Sequence, residues 1–428
     1  MQQISFLINT SVNTLDHVKL LLHSLKENLS GKEHEILIFI DSDNEGTKEY
    51  LIEQKKNFHD LKIITHSLPK CVGYSRNNNL LVELAKHDIV SYLQSDMVIS
   101  KDYDVHILEQ LEDNCILSST RIEPPLHGYS QTVITHDFGV YPETFRFDEF
   151  VKFAELQRSD KTLQYFFAPF TFYKKVWMDV GGYDTIFRRS REDSDLLQRF
   201  IQRGVKIKQT FGANVYHFSC VTSRGKNWFE ANNKSAHDNV ELQKIADSIE
   251  LRRFFRKWGA FTHGEYVLKK LDMDLVLHGD TTKYKNIVSY VEPFFTRVWV
   301  DSDIDKNNCL TLYGNEHDPA NKLLSFSDSD WEYSKKFYNL TDYNAIFNVG
   351  MPETFNIKVE MWLDTITQVD EMLNNVHRIT DMFEDAESGI YEIGNSSTKV
   401  HIDKIVYTSD GNLVVKNPPF DNSLLQIL

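Results

Sequence analysis

Two unbroken apolar runs near the start of the chain, residues 4–8 and 36–40, limit the fold more than any other feature. Between them Leu15, Val18, Leu21, Leu22 and Leu25 recur at helical spacing up to Asn28. A strand with no alternating polar residues is covered on both faces, which is the habit of a parallel sheet. Parallel neighbours need a crossover, and strand, helix, strand supplies one of right-handed sense. The second run passes directly into Asp41-Ser42-Asp43-Asn44-Glu45-Gly46-Thr47. Open α/β sheets bind ligands beyond the carboxyl ends of their strands, so Asp41 is the first ligand-facing candidate.

The pattern continues. Residues 62–65 read as a third strand, and Cys71-Val72-Gly73-Tyr74-Ser75-Arg76-Asn77 leads into a helix over about 77–85. A fourth strand, 87–93, ends in Gln94-Ser95-Asp96-Met97 and sets another carboxylate at a strand tip. An acid there can hold a divalent cation that bridges the phosphates of a nucleotide, or it can simply form a turn. Residues 101–164 carry no motif, and segments such as 121–129 read as an irregular loop. Residues 165–173 read as a strand and 174–180 as a short helix.

A denser stretch runs from Gly181 to Gly204. Gly181 and Gly182 permit a tight entry, Ser190 and Asp193 have capping-box spacing, and Leu196, Leu197, Phe200 and Ile201 share a helical face. Glu192, Asp193 and Asp195 thus fall in a first helical turn, where the dipole favours ionised carboxylates. Such an acid either caps the helix or, aimed into a cleft, accepts a proton from a hydroxyl. Beyond Gly204, residues 205–209 and 213–219 read as two strands, the second carrying His217 near its end. His217 reads as a packed core residue or as a ligand. Arg224 and Lys226, just after it, are cations suited to a diphosphate.

A net charge of -15 argues against nonspecific nucleic-acid or anionic-membrane binding. No transmembrane segment and no signal peptide are read, which predicts a cytoplasmic protein. Four scattered cysteines suggest neither a disulfide framework nor a zinc knuckle. The domain division read here is 1–228 for the α/β part, 229–258 for a helical linker or lid with a basic cluster, and 259–428 for a β-rich accessory domain. In the last, Trp299, Trp331 and Trp362 are core residues or a platform for sugar rings. Asp301-Ser302-Asp303-Ile304-Asp305 opens like a calcium loop but has Lys306 and Leu312 where that loop needs Gly and Glu. Asp410-Gly411 is a hairpin signal.

Taken in order, five pieces resemble the family 2 glycosyltransferases of GT-A fold. They are residues 36–41 with Asn44-Glu45-Gly46-Thr47; Gly73-Tyr74-x-Arg76-Asn77; Ser95-Asp96 at a strand tip; Gly181-Gly182-Tyr183-Asp184; and Glu192-Asp193-x-Asp195-Leu196-x-x-Arg199 ahead of Gly204. The resemblance implies a Rossmann-like, mostly parallel sheet with flanking helices. It implies an inverting transferase that takes a nucleotide-diphosphate sugar, here read as a UDP-sugar, and a hydroxyl acceptor on a glycan, lipid or protein. Asp193 maps to the general base, with Glu192 and Asp195 positioning acceptor or base. Asn9, Thr10, Ser11, Asp41, Asp43, Gly73, Arg76 and Ser95 map to the nucleotide site, Arg224 and Lys226 to the diphosphate. Asp96 and His217 map to a divalent cation, Mn2+ or Mg2+. The triplet Gln94-Ser95-Asp96 stands where the family has Asp-x-Asp, so only one carboxylate is present. Two rivals follow: a catalytically lapsed GT-A module that binds nucleotide or glycan, and a sugar-1-phosphate nucleotidyltransferase. The second would need a glycine-rich loop after the first strand, and Asn9-Thr10-Ser11-Val12-Asn13 has no glycine.

Overall fold

A computed structural model describes residues 2–219 apart from 32, 69–70, 127–129 and 188–189; beyond 219 it describes 250–251, 253–255, 257–258, 271–279, 294–300, 337–339, 357–362, 389–393, 398–402, 415, 417 and 419–428. The chain divides into two compact units, Met1–Ala246 with Pro419–Leu428, and Asp247–Pro418.

The first unit opens with β1 (Ile4–Thr10), α1 (Leu15–Asn28), β2 (Glu35–Ile40), α2 (Thr47–Gln54), β3 (Asp60–His66), α3 (Tyr74–Leu84), β4 (Ile89–Gln94) and β5 (Met97–Ile99). It continues through α4 (Tyr103–Gln110), β6 (Cys115–Glu123), β7 (Val133–Thr135), α5 (Phe147–Gln157), β8 (Thr162–Leu163), β9 (Phe170–Tyr173), α6 (Lys174–Val180), α7 (Glu192–Gln202) and β10 (Lys206–His217). The second unit contains β11 (Met273–His278), β12 (Arg297–Val300), β13 (Phe337–Asn339), β14 (Ile357–Trp362), β15 (Gly389–Ile393) and β16 (Thr398–Ile402); β17 (Leu425–Ile427) then returns to the first.

The sheet of the first unit runs β17-β3-β2-β1-β4-β9-β6-β10-β5, with β7 beside β6 and β8 beside β10. β3, β2, β1 and β4 are mutually parallel. β9 is antiparallel to both β4 and β6, which restores the direction, and β10 runs parallel to β6. The carboxyl ends of β3, β2, β1, β4, β6 and β10 therefore lie along one edge. Every residue of β2 and of β6 is buried, as the unbroken apolar run predicts for β2. The expected mostly parallel α/β sheet with helices is what this unit shows.

Local differences have simple causes. β1 runs on past the apolar run 4–8 through Asn9 and Thr10, which pair with Phe39 and Ile40. α3 begins at Tyr74, earlier than expected, because Gly73 takes a φ of 99° that turns the chain into it. Only Phe170–Tyr173 of the expected 165–173 strand is formed, since Pro169 has no N–H for a ladder. The two strands expected over 205–219 are one, β10, with a register shift between Thr210 and Asn214. α2, α4, α5 and β6 lie where no element was expected.

In the second unit the sheet order is β13-β12-β11-β14-β16-β15. β11 to β14 are parallel, and β16 and β15 add an antiparallel border. Buried and half-exposed residues alternate along β14. Trp299 is buried, and Trp362 stacks on His278 at 4.7 Å. Trp331, the acidic run 301–305 and the hairpin signal at Asp410-Gly411 lie outside the described residues. The described residues between 250 and 258 are helical; the rest of the 229–258 stretch is outside them.

Candidate active site

The sheet's chain order reverses between β1 and β4, the switch point at which open α/β sheets take their ligands. Asn9 and Gln94 are register partners there. Asn9 Nδ2 donates to Asn78 Oδ1 on α3 at 2.9 Å, while Asn9 Oδ1 and Gln94 Oε1 are buried with no hydrogen-bond partner among the described residues. Two acceptors thus wait at the place where a ligand's N–H or O–H groups would arrive. Thr10 Oγ1 is engaged with Thr14 Oγ1 at 2.6 Å, and Ser11 O accepts from Thr14 at 2.6 Å.

One strand over, Asp41 organises the approach to α3. Its carboxylate accepts from Val72 N–H at 2.6 Å and Gly73 N–H at 3.2 Å, and His66 Nε2 donates to its carbonyl at 2.9 Å. Asp43 is occupied differently: its carboxylate accepts from the N–H groups of Glu45, Gly46, Thr47 and Lys48 at 2.8–3.1 Å. Burial works against its charge, but these bonds outweigh burial and hold its carboxyl below the usual carboxylate range. The structure therefore gives Asp43 the work of capping α2. Arg76 is buried on α3, with its guanidinium 5.6 Å from the Phe420 ring centroid.

The acid cluster at the start of α7 is built otherwise than its spacing suggests. The helix is preceded by Arg191 at φ 68°, with no side-chain cap, so the Ser190–Asp193 capping box does not form. Asp193 instead turns inward, half-buried, and its Oδ1 accepts from Tyr183 Oη at 2.5 Å. Tyr183 is itself clamped: Asn79 Oδ1 accepts its N–H and Asn79 Nδ2 donates to its carbonyl, both at 2.8 Å, and its ring meets Trp177 edge-on at 4.9 Å. Gly182 lets the turn lie this close, at φ 68°, where an added Cβ would come within 2.4 Å of both Asn79 and Trp177. Burial raises the Asp193 carboxyl above the usual range, opposed by the Tyr183 hydrogen bond and the charge of Arg121.

Glu192 is half-buried beside it and adds to the negative field on the buried phenols of Tyr74, Tyr92 and Tyr183. Asp195 is fully buried, and both Nε and Nη2 of Arg199 donate to its Oδ2 at 2.9 and 2.7 Å. Arg199 Nη1 donates to Val180 O and Gly182 O at 2.7 and 2.5 Å. Asp195 is thus closed to solvent and tied, through Arg199, to the Gly181-Gly182 turn.

On the far side of the switch point Asp96 follows β4 and is buried, with Ser95 beside it. His217 ends β10; its Nδ1 donates to Glu123 Oε1 at 2.7 Å, which leaves Nε2 facing Asp96 Oδ2 at 3.6 Å. A carboxylate behind an imidazole is the usual device for orienting a metal-ligating histidine. No group of three or more His, Cys, Asp or Glu suited to a metal occurs among the described residues.

Sequence reasoning missed Arg121, Glu123 and Tyr183. Arg121 and Glu123 share β6, with a 3.3 Å ion pair, and the Arg121 guanidinium lies 3.7 Å from the Phe167 ring centroid. Burial lowers the Arg121 pKa against the fields of Glu123, Tyr165, Asp193 and Asp96, so the α7 acid and the strand-tip acid act on the same cation. Two charges at alternate positions of a buried strand were the available signal. Arg224 and Lys226 lie outside the described residues.

Residues 8–180 match the family described as glycosyl transferase family 2. No curated protein sequence matches the chain. Among solved structures it is similar to GalNAc-T7 with UDP, GalNAc and Mn2+ at 13% identity and a TM-score of 0.38, covering 50% of this chain and 43% of that one. It is similar to S. aureus TarS at 15% identity and a TM-score of 0.39, covering 61% of this chain and 44% of that one. For S. aureus TarS 1-349 in complex with UDP the identity is 13% and the TM-score 0.39, covering 68% and 80%. The chain thus spans less than half the length of the first two.

Proposed function

We propose that the first unit, whose residues 8–180 belong to glycosyl transferase family 2, moves a sugar from a nucleotide-diphosphate sugar to a hydroxyl acceptor with inversion. The observation that carries this reading is Asp193, fixed by Tyr183 at 2.5 Å with its carboxyl raised above the usual range. Asp193 takes the acceptor's proton as its oxygen bonds to the anomeric carbon. The bond from that carbon to the phosphate oxygen breaks on the opposite face, and its electron pair leaves with the diphosphate. A UDP-sugar is the donor in this reading. Asn9, Gln94 and the Asp41-anchored segment bind the nucleotide, with Thr10, Ser11, Gly73, Arg76 and Ser95 along the same edge. Arg121, beside Asp96 and Asp193, opposes negative charge in the cleft, and Arg224 and Lys226 are assigned to the diphosphate. Asp96 and His217 would hold a divalent cation, Mn2+ or Mg2+, which when bound supplies Lewis-acid charge at the diphosphate.

The direct test is release of nucleotide diphosphate from UDP-, GDP- and dTDP-linked sugars in the presence of candidate acceptors. Turnover with one donor is the expected result. Nucleotide binding without turnover on any acceptor would instead support the lapsed binding module.

Two further results are expected. The acidic limb of the kcat/KM profile lies above the ordinary carboxylate range, because the base must be ionised and its folded pKa is raised. Tyr183→Phe removes the donor that favours the ionised form, so the limb moves to still higher pH while the ring keeps its packing; a limb that stays put removes Tyr183 from this role. Separately, His217→Ala abolishes any Mn2+-dependent part of the UDP-induced thermal shift. Glu123→Gln raises the Mn2+ concentration needed for that shift about tenfold or more, the usual effect of losing a partner behind a ligating histidine. An unaltered Mn2+ titration in both variants refutes the Asp96–His217 assignment.

A further inference from the structure

We propose that Pro419–Leu428, the segment following the second unit, is a working part of the donor site: it holds Ser67 and residues 71–76, and through them Asp41 and Arg76, in the conformation that receives the nucleotide. This rests on the donor reading above. β17 lies antiparallel on β3, with Leu425 opposite His66, Gln426 opposite Thr65 and Ile427 opposite Ile64. Leu428 N–H donates to Ile63 O at 2.8 Å, and Ser67 N–H donates to Leu424 O at 3.0 Å, so the pairing reaches into the first residue of the segment. Phe420, Leu425 and Leu428 pack against the core of the first unit.

From that contact the connections form a ring. His66, at the end of β3, donates to Asp41 O at 2.9 Å. The Asp41 carboxylate gathers the N–H groups of Val72 and Gly73 at 2.6 and 3.2 Å. Gly73 opens α3, where Arg76 is buried, and the ring closes with the Arg76 guanidinium 5.6 Å from the Phe420 ring centroid. Ser67 is thus held by Leu424 and Arg76 by Phe420, two contacts from one short stretch of chain. A three-residue strand buries little apolar area of its own. Its effect is positional: it fixes where Asp41 and Arg76 stand, beside the switch point, before any ligand arrives.

The test uses the full chain. Phe420→Ala removes the ring beside Arg76, and Gln426→Pro removes an N–H two residues from the paired Leu428, in the same hydrogen-bonding phase of the ladder. Cys71 is an exposed free thiol within the segment, its Sγ 3.0 Å from Ser42 Oγ, so its alkylation rate, read at that residue by mass spectrometry, reports release of the segment without any nucleotide. Both variants are expected to label Cys71 faster and to bind UDP about tenfold more weakly, as follows when the competent conformation is populated a tenth of the time. Phe420→Leu, which keeps apolar bulk for folding but lacks the ring beside Arg76, replaces Phe420→Ala if the latter loses its fold, and the same two changes are expected. Unaltered Cys71 labelling overturns the proposal, as does faster labelling with unaltered UDP affinity. A wild-type protein that binds none of UDP, GDP, dTDP and CMP overturns the donor reading itself, and the proposal falls with it; variants that bind like a wild type that does bind sink the proposal alone.

Discussion

Asp193→Asn is expected to lower kcat by about a hundredfold to ten-thousandfold, the range over which a positioned general base contributes. Nucleotide affinity should be unchanged. The amide keeps the shape of the carboxylate and can still accept from Tyr183 Oη, so the turn at Gly182 and the helix behind it have no cause to move. What is lost is the capacity to take a proton in the transition state, and such a loss lowers kcat and kcat/KM together. Single-turnover transfer with the best donor, alongside calorimetric UDP binding, separates the two quantities. If the Asp193→Asn variant turns over at the wild-type rate, Asp193 is removed from the chemistry and left a structural acid.

Arg199→Met is expected to destabilise the first unit by about 3–5 kcal/mol, because it leaves the Asp195 carboxylate buried without its counter-charge. Both partners are fully inaccessible to solvent. The same substitution strips the donors from Val180 O and Gly182 O, so the Gly181-Gly182 turn should loosen and activity should fall even where the protein stays folded. Replacing both charges, as Asp195→Leu with Arg199→Met, should recover part of the stability, since well-packed apolar side chains often substitute for a buried pair at little cost. Urea unfolding of the wild type, the single variant and the double variant tests this. A single variant no less stable than the double one contradicts the account of Asp195 as the anchor of the turn.

The parallel half of the sheet was legible because strands covered on both faces leave unbroken apolar runs. β6 obeys the same physics with a different vocabulary. It buries Ser118, Ser119 and Thr120 by giving each hydroxyl a partner: Phe167 N–H donates to Ser118 Oγ at 3.1 Å, Tyr103 Oη pairs with Ser119 Oγ at 2.7 Å, and Thr120 Oγ1 donates to Thr210 O at 2.9 Å. None of these partners is a sequence neighbour, so the strand leaves no apolar pattern to read. Arg121 and Glu123 were lost with it. The acids at strand tips, Asp41 and Asp96, could be found from position alone, whereas their surroundings could not. Asp43 looked equivalent to Asp41, and only the four N–H groups converging on it separate a helix cap from a residue that anchors the approach to α3. In the same way the spacing of Ser190 and Asp193 suggested a cap, but the backbone at Arg191 leaves the helical path and frees Asp193 for Tyr183. Gln426 and its neighbours form a strand too short for any local pattern, and its partner lies at the other end of the sequence.

That last pairing has a consequence for how the protein is made. A ribosome delivers β3 early but β17 only after all of Asp247–Pro418 has emerged. At translation rates of about 5–20 residues per second, the open flank of β3 stands bare for roughly twenty to seventy seconds on each nascent chain. An uncovered strand flank is a template for another chain's strand. Polysomes place several such chains side by side, so the interval before the closing strand emerges is the period in which this protein most needs a chaperone's company.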